Sequence, residues 1–138
     1  MRTLFLKWMV CITLPLILSC SDGKQLPQIT VDFTWPQEMK SCFDPVNPVI
    51  RLGNLPDGVS RLSVSVFDTQ YSVNHGGGEC DYANDGIIPA GSLADYQGPC
   101  EELALSGPGY YEFTVKALDA EGNLIAQGKG GRSYPELE

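Results

Sequence analysis

Three stretches in which apolar and polar residues alternate one by one constrain the fold of this 138-residue chain more than any other feature. They are residues 29–35, 62–66 and 111–117. Strict alternation is typical of a half-buried β-strand, because successive side chains of a strand point to opposite faces of its sheet. Residues 49–52 and 124–127 are shorter strand candidates, and no helix-period segment accompanies them. The sequence therefore predicts an all-β domain, arranged as a single antiparallel β-sandwich.

Turn-forming residues separate these stretches. Residues 119–123 include Gly122 and Asn123, both able to adopt positive φ, and predict a hairpin turn before the last strand. Residues 70–109 are rich in Gly and Pro, including the run Gly76-Gly77-Gly78. Their composition predicts a long loop-rich region, and such regions are either functional or mobile.

The N-terminus resembles an export signal. Arg2 and Lys7 precede an apolar run over residues 9–18, which is too short to span a bilayer. The run Leu16-Ile17-Leu18-Ser19-Cys20 is similar to the bacterial lipoprotein signal, in which the Cys receives a diacylglycerol and becomes the new N-terminus. A plain secretory signal is the alternative interpretation.

This resemblance divides the chain into three parts. We expect a lipoprotein signal peptide over residues 1–19, the lipidated Cys20 and a tether over residues 20–28, and the β-sandwich domain over residues 29–138. The lipid would hold the protein on a membrane of the bacterial cell envelope. Ser21 after the Cys, rather than Asp, resembles the sorting signal of the outer membrane.

The charge balance limits the partners. Removing residues 1–19 takes away Arg2 and Lys7 and no acidic residue, which leaves 7 basic and 17 acidic residues. So acidic a domain argues against nucleic acid as a partner and against an electrostatic grip on anionic headgroups. The lipid on Cys20 is then the predicted means of membrane attachment.

Export also decides how the cysteines are interpreted. Cys11 leaves with the signal and Cys20 is lipidated, so Cys42, Cys80 and Cys100 remain. An oxidising compartment favours one disulfide among the three and one free thiol. The sequence alone does not choose the pair, although a crosslink to Cys80, in the Gly-rich region, would remove the most chain entropy. That argument favours Cys80 as one partner.

Four segments resemble, in chain order, motifs of the phosphatidylethanolamine-binding, or Raf-kinase-inhibitor-like, proteins. They are residues 47–59, 63–68, 95–100 and 111–119, and the most specific piece is the Tyr96-Gln97-Gly98-Pro99-Cys100 turn. The resemblance covers roughly residues 42–132. It implies a truncated form of that family's β-sandwich, with an anion pocket at one edge.

The resemblance also implies a set of ligand-binding residues. Carried over position by position, they are Asp68, His75, Gly98, Pro99 and Tyr111. The chain departs from the family in several ways. The family's Asp-Pro-Asp is here Asp68-Thr69-Gln70, and its second pocket His falls on Gly109.

These features predict a non-catalytic binding module of the cell envelope. Its expected partner, besides the membrane, is a small anionic or zwitterionic ligand that contains phosphate, or another protein. No catalytic residue, cofactor or metal site is predicted; a Gly-x-Ser-x-Gly elbow, for example, is missing from the sequence. The alternative is an immunoglobulin-like structural or adhesion module, because residues 109–123 also resemble the penultimate strand of such domains. A shared cleft of Asp68, His75 and Tyr111 would favour the binding module.

Overall fold

A computed structural model describes residues 25–36, 42–100 and 107–135. These residues contain seven β-strands and no helix, so the predicted all-β class is confirmed for them. The strands are β1 Gln28–Phe33, β2 Ile50–Gly53, β3 Arg61–Asp68, β4 Val73–Asp81, β5 Ile87–Ile88, β6 Gly109–Leu118 and β7 Leu124–Tyr134. The predicted signal peptide, Cys20 and the start of the tether lie outside the described residues. Within the described ranges, the search for a membrane-crossing helix finds none.

All seven strands belong to one curled, mixed sheet in the order β4-β3-β6-β7-β1-β2-β5. Five of the six neighbouring pairs are antiparallel, and β1 runs parallel to β7. The prediction of a purely antiparallel arrangement is therefore wrong at this pair. Alternation within a strand specifies which face is buried, but it carries no information about the direction of the neighbouring strand.

The alternating residues form the core as the pattern predicts. Leu62, Val64 and Val66 of β3 are buried, as are Phe113 and Val115 of β6. The core continues through the residues of the other strands and of one loop that are also buried: Ile29, Phe33, Ile50, Ile88, Leu93 and Ala126. The rings of Phe33 and Phe113 lie 4.4 Å apart, although β7 separates their strands in the sheet. The sheet therefore curls around a shared apolar interior.

Strand β4 corrects the prediction that residues 70–109 are loop-rich throughout. Its three glycines lie between β3 on one side and residues 94–97 on the other. A Cβ on Gly77 would collide with the Val64 carbonyl, and one on Gly76 would collide with the Asp95 carbonyl. Because neighbouring backbones approach this closely, the glycines permit the strand here, although glycine ordinarily disfavours strands.

Residues 94–97 cover the outer edge of β4. The Asp95 and Gln97 N–H groups donate to the carbonyls of Gly77 and His75, each at 2.9 Å. These bonds use polar groups that an uncovered edge strand would present to other chains. They also hold the loop after Leu93 against the strand that carries His75.

The predicted hairpin turn is confirmed. The turn joins β6 to β7, and Gly122 has a φ of 86°. The Asp119 carboxylate accepts hydrogen bonds from the backbone N–H groups of Glu121 and Asn123, at 3.0 and 2.8 Å. This is the local side-chain to backbone bonding that makes Asp common in turns.

The disulfide joins Cys42 to Cys100, and Cys80 is a free thiol. One disulfide among the three cysteines was predicted correctly, but the preference for Cys80 as a partner is wrong. Loop entropy concerns only the unfolded chain, whereas the pair is decided by which cysteines meet in the folded chain: Cys80 is held on β4 opposite Leu62, and Cys42 and Cys100 lie together. Burial and the nearby Asp81 carboxylate raise the pKa of the Cys80 thiol.

Candidate functional site

A pocket of about 160 Å³ lies where β3 ends, β4 begins and β6 begins. It is lined by Phe43, Asp68, Tyr71, Val73, His75, Cys100 and Tyr111. The strand register explains why these segments meet, since Asp68 lies opposite Val73 on one side and opposite Tyr111 on the other. Three of the residues that the family resemblance implies, Asp68, His75 and Tyr111, therefore share one pocket.

Asp68 is the last residue of β3 and is only 2% exposed. Its Oδ1 accepts hydrogen bonds from the backbone N–H groups of Gln70, Tyr71 and Tyr110, at 2.9, 3.2 and 3.3 Å. A buried carboxylate requires such donors, because burying an isolated charge without hydrogen-bond partners costs roughly several kcal/mol of folding free energy. Asp68 thus organises the turn after β3 while it contributes negative charge to the pocket.

The ring of Tyr111 stands between the core and the pocket. Its centroid lies 5.5 Å from that of Trp35 and 4.9 Å from that of His75, both in edge-to-face geometry. Burial and the adjacent Asp68 carboxylate raise the pKa of Tyr111 to about 12, against a smaller lowering effect of the Cys100 backbone. Tyr111 is therefore a neutral hydroxyl at physiological pH.

Gly109 is the position at which the sequence resemblance would place a second pocket histidine. A Cβ at Gly109 would lie 2.5 Å from the Asp68 Oδ2 and 2.7 Å from the Tyr111 Cε2. Any side chain at this position would push apart the two residues that form this wall of the pocket. The pocket is therefore built around the absence of a side chain at Gly109.

His75 is 3% exposed and belongs to β4. Its Nδ1 lies 2.8 Å from the Gln97 carbonyl oxygen. Because a carbonyl oxygen can only accept, Nδ1 carries a proton and donates it to this bond. In the neutral imidazole, Nε2 is then an acceptor with a free lone pair.

Phe43 forms one side of the pocket in an unusual backbone conformation. It has a φ of 58°, in the left-handed region that bulky residues rarely adopt, and it is 43% exposed. The Cys42–Cys100 disulfide and a 2.9 Å hydrogen bond from the Gly98 N–H to the Asp44 carbonyl hold its two chain neighbours. Its ring stacks toward that of His75 with the centroids 6.2 Å apart.

Gly98 and Pro99 do not contact the pocket space, although the resemblance implied that they would. Both are buried, and Cys100, which follows them in the chain, does line it. Gly98 helps to fix the segment that carries Phe43 through its hydrogen bond to the Asp44 carbonyl. Sequence reasoning missed Phe43, Tyr71, Val73 and Cys100 as lining residues, and only the disulfide pairing could have pointed to Phe43.

The electrostatic character of the pocket follows from its lining. Among the described residues that line it, Asp68 is the one carboxylate, and none is Lys or Arg. The ion pairs of the described residues lie elsewhere: Arg61 with Glu79, Lys129 with Glu112, and Arg132 with Asp32. Within residues 25–36, 42–100 and 107–135, no group of three or more His, Cys, Asp or Glu side chains is placed to hold a metal ion. The pocket is thus suited to binding through hydrogen bonds, aromatic contact and a single negative charge.

In comparisons with known proteins, no family model and no curated protein matches this chain. The resemblance to the phosphatidylethanolamine-binding proteins therefore rests on short sequence motifs, and the function must be argued from the pocket itself.

Proposed function

We propose that this chain is a non-catalytic binding module that holds a small ligand in the pocket of Asp68, His75 and Tyr111. The observation that carries the proposal is the convergence of these three side chains, from three different strands, on one cavity. Concave sites with aromatic walls and a few polar groups are the usual form of small-ligand sites. Three scattered positions would instead have favoured a purely structural module.

Between an anionic and a zwitterionic ligand, the lining favours the zwitterion. A buried carboxylate repels a bare phosphate, and neither Lys nor Arg lines the pocket within residues 25–36, 42–100 and 107–135. A ligand that carries both charges can place its cationic group near Asp68 and leave its phosphate toward the pocket mouth. Glycerophosphoethanolamine has this combination of groups and serves as the test compound.

The test is an NMR titration of the full-length chain in a nonionic detergent with glycerophosphoethanolamine. We expect chemical-shift changes centred on Asp68, His75 and Tyr111, with a dissociation constant of about 1 mM, equivalent to about 4 kcal/mol of binding free energy. Glycerol at the same concentration is the control for nonspecific effects. Absence of shifts, or shifts centred outside the pocket, would refute the proposal.

We further propose that the module is attached to the cell envelope through a lipid on Cys20, at the outer membrane. The support is the apolar run that ends on Cys20 and the acidic composition of the remaining chain. The variant Cys20→Ser should leave the membrane fraction and lose fatty-acid label. A variant that stays membrane-bound and labelled would refute the attachment.

The second candidate is an immunoglobulin-like structural or adhesion module with a sandwich architecture. Its support is the curl of the mixed sheet, which brings the rings of Phe33 and Phe113 together across β7. Facing layers around a common core are the arrangement of a β-sandwich. If the titration produces no chemical-shift changes in the pocket, the result favours this second candidate.

A further inference from the structure

The polar groups of the pocket share one property, which is that they accept hydrogen bonds. Asp68 contributes a carboxylate, and His75 retains an acceptor at Nε2 because Nδ1 donates to Gln97. The Tyr71 hydroxyl donates its proton to the Gly107 carbonyl at 2.7 Å, which leaves only lone pairs on its oxygen. The Tyr111 hydroxyl has the Asp68 carboxylate beside it as the acceptor for its own proton.

The remaining lining is aromatic. The rings of Phe43, Tyr71, His75 and Tyr111 all border the cavity. Aromatic faces attract cations through the ring quadrupole, and aromatic cages are a general way to bind ammonium groups. Acceptors, aromatic rings and a carboxylate, without Lys or Arg among the lining residues that the structure describes, complement a positive charge. The acidic chain, with a net charge of −8, adds attraction of the same sign.

We infer that this pocket recognises a primary ammonium group, supplied by a small amine or by the cationic end of a zwitterion. The inference rests on the proposed function, since it requires the pocket to be a binding site. It reverses the polarity that the sequence resemblance implies, because the anionic end of a ligand is not what the pocket holds. A primary ammonium fits better than a quaternary one, since the acceptors need N–H donors.

The first test compares three probes on the full-length chain in nonionic detergent: ethanolamine, tetramethylammonium and inorganic phosphate. NMR titration at pH 8 should show ethanolamine binding at least about tenfold more tightly than tetramethylammonium, the loss expected when hydrogen bonds to a charged group are missing. Phosphate should leave the pocket signals unchanged. Phosphate binding without ethanolamine binding would overturn the inference.

The second test uses paired variants. In Asp68→Asn, the amide oxygen can still accept the backbone bonds from Gln70, Tyr71 and Tyr110, while the negative charge is lost. Ethanolamine affinity should fall at least about tenfold. The control Asp57→Asn makes the same charge change on an exposed turn residue and should bind as the parent does. Equal affinities for both variants would overturn the role of Asp68.

The aromatic wall has its own matched pair. Phe43→Ala removes a ring at the pocket, and Phe67→Ala removes one that does not line it; the two are 43% and 41% exposed. Only Phe43→Ala should weaken ethanolamine binding, by about two- to fivefold, the usual strength of an exposed cation–π contact. Because both residues are exposed, this pair tests the pocket without a large change in folding. Equal affinities would overturn the aromatic contribution.

Two further experiments distinguish a lipid headgroup from a free amine, and a failure of this inference from a failure of the proposed function. Vesicles that contain phosphatidylethanolamine, but not vesicles of phosphatidylcholine alone, should displace ethanolamine if the ammonium group comes from a lipid headgroup. Retention of ethanolamine in both cases supports a free amine as the source. If glycerol 3-phosphate binds in the pocket and ethanolamine does not, the ammonium assignment fails and the proposed binding function stands. If glycerophosphoethanolamine also fails to bind, the proposed function itself is refuted.

Discussion

At both ends of β6 an aspartate side chain accepts backbone hydrogen bonds, but the two aspartates differ in burial. At its start, Asp68 of the neighbouring strand accepts three backbone hydrogen bonds, and just after its end Asp119 accepts bonds from Glu121 and Asn123. Asp68 is buried beside Tyr111, whereas Asp119 faces solvent. The same type of hydrogen bond therefore stabilises the turn at both ends of β6, and the two ends differ in the burial of the aspartate.

The difference shows how a turn residue can become a candidate binding residue. Asp119 meets only its own turn, and the bonds from Asn123 lower its pKa. Asp68 keeps the turn function but also lines a pocket with Phe43, His75 and Tyr111, from three segments that come together only in the folded chain. A charge held by backbone donors at the edge of a cavity can act on a ligand, while the same charge in water is screened.

The largest expected effect is that of removing the Cys42–Cys100 disulfide, which lies at the pocket end of β6. Replacing Cys42 and Cys100 by Ala should lower the free energy of unfolding by about 4 kcal/mol, because the 58-residue separation lets the disulfide restrict the unfolded chain strongly. Urea denaturation of the variant and the parent measures this. Cys80→Ser is the control, and a loss as large in that variant would contradict the assignment of the disulfide.

A second experiment compares the two aspartates directly. Asp68→Ala should cost about 3 kcal/mol of unfolding free energy, because buried backbone N–H groups lose their acceptor. Asp119→Ala should shift the urea midpoint much less, since water replaces the carboxylate. Equal losses in the two variants would mean that burial does not distinguish the two ends.

Alkaline pH tests the pocket end alone. The pKa of Tyr111 is raised to about 12 in the folded protein, so folding holds its proton more tightly than the unfolded chain does. This contribution is complete below about pH 10, the ordinary tyrosine pKa, and is lost as pH rises through 12. Unfolding free energy should fall over this range by about 1–2 kcal/mol more in the parent than in Tyr111→Phe. Burial and the Asp44 carboxylate also raise the pKa of Tyr96, and because Tyr96 is present in both proteins the comparison removes most of its contribution.

The stability at acid pH tests the end of β6 that carries Asp119, and the expected change in stability is the smallest of the four. The pKa of Asp119 is lowered by its bonds with Asn123, so its contribution to stability is present above the ordinary aspartate pKa, about 4, and disappears as pH falls through the folded value. The urea midpoint of Asp119→Asn should therefore fall slightly less than that of the parent between pH 5 and pH 2. Parallel curves would show that the turn bonds add no pH-dependent stability.

The strands that alternate were predictable, and so was one turn. Residues 62–66 and 111–117 lie within β3 and β6, and Gly122 and Asn123 form the turn that follows β6. In these cases the information is local, because alternation and positive-φ residues act within a few positions of the chain. The class of the fold follows from such local signals.

Strand β4 and the disulfide were not predictable in the same way. Gly76, Gly77 and Gly78 suggest a loop until the carbonyls of Val64 and Asp95 are seen against them. The sequence argument favoured Cys80 as one partner, whereas the structure places Cys80 on β4 and pairs Cys42 with Cys100. Both features depend on contacts between residues far apart in sequence.

What the sequence by itself determined is the all-β character of the described chain, the faces of its main strands and the turn after β6, because each depends on short-range patterns. Only the tertiary structure decided that β1 runs parallel to β7 and that Asp68, His75 and Tyr111 enclose one pocket. The proton on His75 Nδ1 is likewise assigned by a tertiary contact, with the Gln97 carbonyl 22 positions along the chain. Strand direction, the distances between side chains and the tautomer of His75 depend on contacts between backbone segments that are far apart in sequence. Local sequence patterns do not specify those contacts.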